Sequence, residues 1–268
     1  VMPAMLAWAK RSYMWQEAGS RYFKELADYF ALHRENVLIA GLYAGACSDR
    51  FDEYLSKDNT DMAYGEMLPE LERLLRHYGE AYRNYTERMP DYDFPAYRAD
   101  LLDYYFNDAL AKAAAYDTEE GDLESLRRHY MRLTQMDYPP QAASIYQSTV
   151  QQMLSNLALL YGRDGKYTKA REAIKQLREC VKEDSEAISS LADAIYNLIT
   201  QCANDNIMAY RGQIKAMADE LEALAALTDG EHEHTRYVMA LYNIAGRLED
   251  NGIAHLPMWD LLYDYSMT

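Results

Sequence analysis

Proline and glycine, which punctuate most chains, are scarce here. The 268 residues hold 7 prolines and 12 glycines, and long stretches of Ala, Leu, Met, Glu and Arg run uninterrupted between them. Such stretches favour helix. No strand-length alternation of β-branched residues is present, so a sheet is not expected. Cysteine is equally sparse: Cys47, Cys180 and Cys202 are odd in number and widely scattered. That spacing excludes a disulfide framework and lacks the close pairing of a zinc site. The three are expected to be buried thiols behaving as small hydrophobes. No apolar run approaches the roughly 20 residues needed to cross a bilayer, so no direct membrane insertion is expected. The opening VMPAMLAWAKRSYMW places its charges after the apolar stretch, the reverse of a secretory signal. A chain opening on Val1 is expected to be a piece of a longer one. The compartment stays open, with the cytoplasm favoured over an extracytoplasmic site that an upstream signal or anchor would bring.

Positive charge is in deficit. Forty-three acidic residues stand against 27 Lys plus Arg, a formal charge of -16. Such a field repels phosphate backbones and anionic headgroups, which disfavours nucleic-acid and membrane-surface partners. A neutral or basic peptide is the more compatible ligand.

Apolar period and breakers predict helices over Pro3 to Glu17, Ser20 to Leu32, Arg34 to Cys47, Asp49 to Leu55 and Met62 to Arg88. In MPDYDFP, Pro90 and Pro95 bracket a turn that no helix continues through. It divides N-terminal helices (1–92) from a paired region (93–268). The expected pairs are Ala96 to Tyr116 with Leu123 to Thr134, Pro140 to Arg163 with Tyr167 to Lys182, Ser185 to Ala203 with Ile207 to Leu227, and His234 to Asp250 with His255 to Tyr265. Their separators, EEGD, GRDGK, NDN and DNG, are short and suit tight turns between antiparallel helices.

The segment from Leu154 to Cys180, LSNLALLYGRDGKYTKAREAIKQLREC, resembles a tetratricopeptide repeat. Leu154, Leu157, Ala158 and Tyr161 occupy the family's positions on a first helix, Gly165 its turn, and Tyr167 and Ala170 its second helix, with Ile174 and Leu177 continuing the apolar stripe. The physical content is packing, since Ala158 and Ala170 let two helices approach closely. Leu241, Ile244, Ala245, Leu248 and Gly252 repeat the first-helix spacing. Ala113, Tyr116, Gly121, Leu123, Leu126, Tyr130 and Leu133 do so with one extra residue in the turn. The pair from Ser185 to Leu227 lacks the small-residue code, Arg211 falling near an expected Ala. Before Pro90 only Ala40 and Tyr43 hint at it. Because one hairpin cannot bury its own apolar face, the resemblance implies an all-α, right-handed α-solenoid of stacked antiparallel helix pairs. It also implies a protein- or peptide-binding scaffold, such as the adaptor or sensor portion of a larger regulatory protein.

In proteins this chain resembles, first helices line the groove that holds a partner. Asn156, Asn197 and Asn243 each precede the turn residue of their own unit (Gly165, Asn206, Gly252) by the same nine positions, so they are expected at one level of that surface. An amide carries both donor and acceptor, as gripping a peptide backbone requires; ordinary solvated or inter-helix roles are the alternative. Tyr196 and Tyr242 precede two of them and add aromatic surface. One subset of the family clamps a C-terminal carboxylate with Lys and Arg. Here the corresponding places hold Gln152 and Ser155, leaving Arg163 as the cation. Most of the 25 tyrosines are expected to fill gaps between helices, with Tyr78, Tyr82 and Tyr85 forming a packing stripe.

No residue grouping points to catalysis or to a cofactor. His232 and His234 in EHEH are expected in a solvated acidic loop without a third metal ligand, and His33, His77, His129 and His255 are isolated. Asp103 and Asp108 are five apart, so they do not share a helical face. Phosphate-cradling glycine loops are absent. Two further readings stay open at this point. One is a structural subunit that oligomerises through Trp259, Leu262 and Tyr263. The other is an all-α small-ligand receptor or enzyme without a recognisable active site.

Overall fold

Apolar stripes and polar caps set out a succession of helices, and among the described residues there is no strand. The computed structural model describes residues 19–86, 99–181, 187–227 and 231–253. The expected first helix, the Pro90 to Pro95 break and the expected last helix with Trp259, Leu262 and Tyr263 lie outside them. In chain order the helices are α1 (Gly19–Leu32), α2 (Val37–Leu55), α3 (Leu68–Thr86), α4 (Leu101–Glu120), α5 (Leu123–Thr134), α6 (Ala143–Arg163), α7 (Tyr167–Val181), α8 (Ala187–Leu227) and α9 (Glu231–Asp250). A short stretch, Thr60–Met62, leads through a π-helical turn, Ala63–Met67, into α3. No described helix is long and apolar enough to cross a membrane.

Two local expectations are corrected. Helix α2 is continuous where two helices were expected, because Ser48 is buried and no breaker interrupts the run from Cys47 to Asp49. Its start is capped by Asn36, whose Oδ1 accepts from the Leu38 and Ile39 N–H groups at 3.1 and 3.3 Å. EHEH is no loop: it forms the first turn of α9, where Glu233 is favoured by the helix dipole. The break expected at NDN is present within α8, at Asn206, with φ -160° and ψ 90°. The Asn206 Oδ1 accepts from the Ala209 N–H at 2.9 Å and so caps a new start. The expected pair at this place is therefore two limbs, 187–205 and 207–227.

By spatial grouping the chain forms two units. The first holds the described residues up to Tyr116 together with Met136–Gln147; the second holds Asp117–Gln135 and the described residues from Ser148.

In the first unit α1 runs antiparallel to α2. The Phe30 ring stacks on Tyr43 at 4.8 Å, and seven residues earlier Phe23 lies under the Arg50 guanidinium. Helix α3 returns along α2 with Tyr82 pressed against Gly41, where an added Cβ would stand 2.6 Å from the ring. Tyr78 and Tyr82 are buried while Tyr85 is exposed, so the tyrosine stripe packs at two of its three places. Helix α4 lies parallel to α2: Lys112 Nζ donates to Asp52 at 2.5 Å and Tyr116 Oη to Asp58 at 3.1 Å.

The second unit repeats that parallel relation several times. Tyr130 on α5 bonds Gln176 on α7 at 2.8 Å. Arg178 on α7 grips Glu220 on the second limb of α8 through two bonds of 2.6 and 2.8 Å. On the other layer Ser155 of α6 donates to the Ser190 carbonyl at 3.3 Å. The first limb of α8 meets α9 through partners 43 to 47 residues apart along its whole length. Leu154, Leu157, Ala158, Ala170, Ile174 and Leu177 are all buried, as are Leu241, Ile244 and Ala245.

Four helices end alike. Gly121, Gly165 and Gly252 have φ of 76°, 69° and 75°, and Asp58 has φ 55°. In each case the following N–H bonds a carbonyl five residues back: Asn59 to Tyr54, Asp122 to Asp117, Lys166 to Tyr161 and Ile253 to Leu248. This is the left-handed helix stop that satisfies otherwise orphaned carbonyls. It places Ala114 and Asp117 at the positions of Ala158 and Tyr161. The register of α4 therefore follows from Gly121 itself, with the same step from glycine to the next helix as after Gly165.

Candidate binding face

Helix α6 turns a stripe at four-residue spacing to solvent: Ser144, Ser148 and Gln152 are exposed, and Asn156 is half-buried. Its one charged residue is Arg163, exposed at its last position. The first limb of α8 has half-buried Tyr196, Asn197, Thr200 and Gln201, and its charges are Asp193 and Asp205. In α9 the stretch 237–246, YVMALYNIAG, carries no charge.

The companion helices differ. Helix α7 carries Lys169, Arg171, Glu172, Lys175, Arg178 and Glu179. The second limb of α8 carries Arg211, Lys215, Asp219, Glu220 and Glu222. Thus α7 and the second limb of α8 carry charges of both signs, whereas α6, the first limb of α8 and residues 237–246 of α9 carry few.

Between the first limb of α8 and α9 runs a ladder of polar contacts. Ser189 donates to Glu233 at 2.5 Å. Asp193 accepts from Arg236 Nε at 2.5 Å and lies 3.0 Å from His232 Nε2. The Asn243 amide donates to Tyr196 Oη at 3.3 Å and to Thr200 Oγ1 at 3.1 Å. Arg247 Nε donates to Asn204 at 2.7 Å. The Arg236 guanidinium also lies 5.3 Å from the Tyr196 ring centre, a cation–π contact.

Of the residues singled out by sequence, Asn243 and Tyr196 are therefore brought together. Asn156 and Asn197 are half-buried on α6 and α8, Gln152 and Arg163 are exposed, and Tyr242 is 60% exposed. His232 and His234 are two apart on a helix, so they do not face each other. Among the described residues no cluster of His, Cys, Asp or Glu is arranged to hold a metal. Cys47 and Cys202 are buried and Cys180 half-buried, all as free thiols. Burial pushes the Cys202 thiol up to about 11, which leaves it a poor nucleophile.

Two buried polar groupings escape the sequence. In the first unit Asp103 is 1% exposed. It accepts from Arg83 Nη1 at 2.6 Å and from Tyr146 Oη at 3.1 Å. Burial outweighs the Arg83 charge and raises its carboxyl above the ordinary range. Asp108 instead pairs with Lys112 at 2.8 Å, in keeping with the separate faces expected. In the second unit His129 is not isolated: its Nε2 lies 3.3 Å from Asp117, both buried. Burial first, then the charges of Arg132 and Arg128, pull its imidazole down to about 4. Asp117 replaces the aromatic found at Tyr161 in the next hairpin, and that register, read back from Gly121, was the available signal.

Compared with protein-family models, curated proteins and solved structures, the chain matches none.

Proposed function

We propose that this chain is a protein- or peptide-binding helical-repeat scaffold, a right-handed α-solenoid of tetratricopeptide type. In this reading the uncharged faces of α6, the first limb of α8 and α9 take the partner. The adaptor or sensor portion of a larger regulatory protein is the corresponding role. One observation carries it: α6, the first limb of α8 and the centre of α9 present amides, hydroxyls and tyrosine, while α7 and the second limb of α8 carry charges of both signs. A merely solvated surface has no reason to sort its charges by layer, whereas a face that trades water for a peptide backbone benefits from fixed neutral donors and acceptors. The stacking of like helices, with partners at 42 and 46 residues on one layer and 35 to 47 on the other, supports the serial arrangement. So do the four matching left-handed helix ends.

The test is capture from native lysate by the intact chain and by an Asn156→Ala, Asn197→Ala, Asn243→Ala variant of unchanged helicity. Partners held by the parent and lost by the variant are expected. An identical set on both removes the assignment of this face.

A further inference from the structure

The end of α9 holds a reactive pair of residues. Asn251 and Gly252 are both exposed, and no other asparagine of the chain precedes glycine. In such a pair the glycine backbone nitrogen, uncrowded by any side chain, attacks Cγ of the asparagine amide. The new C–N bond closes a five-membered succinimide as the bond to the amide nitrogen breaks, and that nitrogen leaves as ammonia. Water then opens the ring at either carbonyl, giving aspartate or the β-linked isoaspartate, with no oxidant or further reactant.

The fold engages both reacting groups. Asn251 Nδ2 donates to the Arg247 carbonyl at 2.7 Å, and the Gly252 N–H donates to the Glu249 carbonyl at 2.8 Å. To react, the glycine nitrogen must shed its proton and turn its lone pair to Cγ, and the amide must swing off its acceptor. The next residue locks the arrangement, since the Ile253 N–H bonds the Leu248 carbonyl at 3.0 Å with Gly252 at φ 75°. Ring closure therefore waits for the last turn of α9 to open, and helix ends are where local opening costs least.

The product does not fit the stop. An ionised aspartate at 251 has no N–H for the Arg247 carbonyl, and it adds a third carboxylate after Glu249 and Asp250 at a helix end where the dipole disfavours anions. The β-linked form also lengthens the main chain by one carbon ahead of Gly252, which carries the Ile253 N–H off its acceptor. We infer that Asn251 is a spontaneous deamidation site, guarded by the helix stop at Gly252, and that the modification dismantles the stop that guards it.

The experiment follows amide loss by peptide mass spectrometry in the intact chain, incubated in mildly alkaline buffer and in guanidinium chloride. The change in mass separates this reaction from isomerisation at Asp164 and Gly165, which leaves the mass unaltered. In denaturant Asn251 is expected to lose its amide before any other asparagine. In buffer the loss should be at least about tenfold slower, as a turn open less than about a tenth of the time requires. Gly252→Ala, read in denaturant where folding plays no part, should slow the reaction several-fold. Aged chain, separated from fresh by its extra negative charge, should exchange its amide hydrogens faster over residues 247–253. Equal rates in the two media overturn the guard. An intact Asn251 in denaturant, or another asparagine reacting first, overturns the site. An unchanged rate in Gly252→Ala overturns the ring closure, and unchanged exchange in the aged chain overturns the loss of the stop.

Discussion

His129 Nε2 stands 3.3 Å from a carboxylate oxygen of Asp117, across the turn at Gly121 that joins α4 to α5. Both side chains are buried in the hairpin. A neutral imidazole here is compatible with the surrounding apolar layer; a charged one has lost its hydration to it.

Acid therefore weakens the second unit at this point. The folded imidazole titrates at about 4, below the unfolded value of about 6.5. The native state thus binds fewer protons, and its stability is full above about pH 6.5 and falls as pH drops toward 4. The full effect is roughly 3 kcal/mol. Urea unfolding at about pH 7.5 and about pH 4.5 should show a smaller loss for His129→Gln than for the parent. Equal losses would remove His129 as the cause.

Arg83 matters more than the carboxylate it serves. Arg83→Met leaves a buried charge on Asp103 without its cation and is expected to destabilise by about 3 kcal/mol or more near neutral pH. Asp103→Asn keeps an acceptor for Arg83 and Tyr146 and is expected to stay below about 1.5 kcal/mol. The Arg83→Met deficit shrinks as pH falls, because Asp103, already raised by burial, takes up a proton. Denaturant midpoints of the two variants decide the order; a larger effect for Asp103→Asn contradicts the account.

The helix stops should respond in opposite directions. At Gly165, φ is 69° and an added Cβ would meet nothing within 4 Å. Gly165→Ala is expected to destabilise by about 1 kcal/mol through backbone conformation alone. Asp58 holds the same conformation at φ 55° but also accepts from Tyr116 Oη, so in a Tyr116→Phe background, where that bond is already gone, Asp58→Gly should stabilise by about 0.5 to 1 kcal/mol, the left-handed penalty being removed. Thermal unfolding of each variant is the check, and a stabilised Gly165→Ala would deny the shared cap.

Much of this architecture was legible because its punctuation is local. Gly121, Gly165 and Gly252 mark their turns in the sequence, and Leu154, Ala158 and Ala170 show their packing through spacing alone. The end of α2 at Leu55 was legible as well, but not the left-handed residue that follows it: Asp58 performs a glycine's task and does not look like one. EHEH read as a loop because its acidity resembles solvated chain, yet acidity is also what favours a helix start. The groupings of Arg83 with Asp103 and Tyr146, and of Asp117 with His129, join residues 12 to 43 apart in sequence. No spacing rule brings such residues together before the helices are stacked. The candidate face was legible in part: Asn243 and Tyr196 were singled out, but the Asp193, His232 and Arg236 contacts that neutralise their neighbourhood needed two helices side by side.

Hydrogen–deuterium exchange of the intact chain with and without a partner captured from native lysate tests the central claim most directly. Protection confined to residues 148–163, 187–205 and 231–250, with 167–181 and 207–227 unchanged, is the predicted result. Protection of the charged helices instead would contradict it.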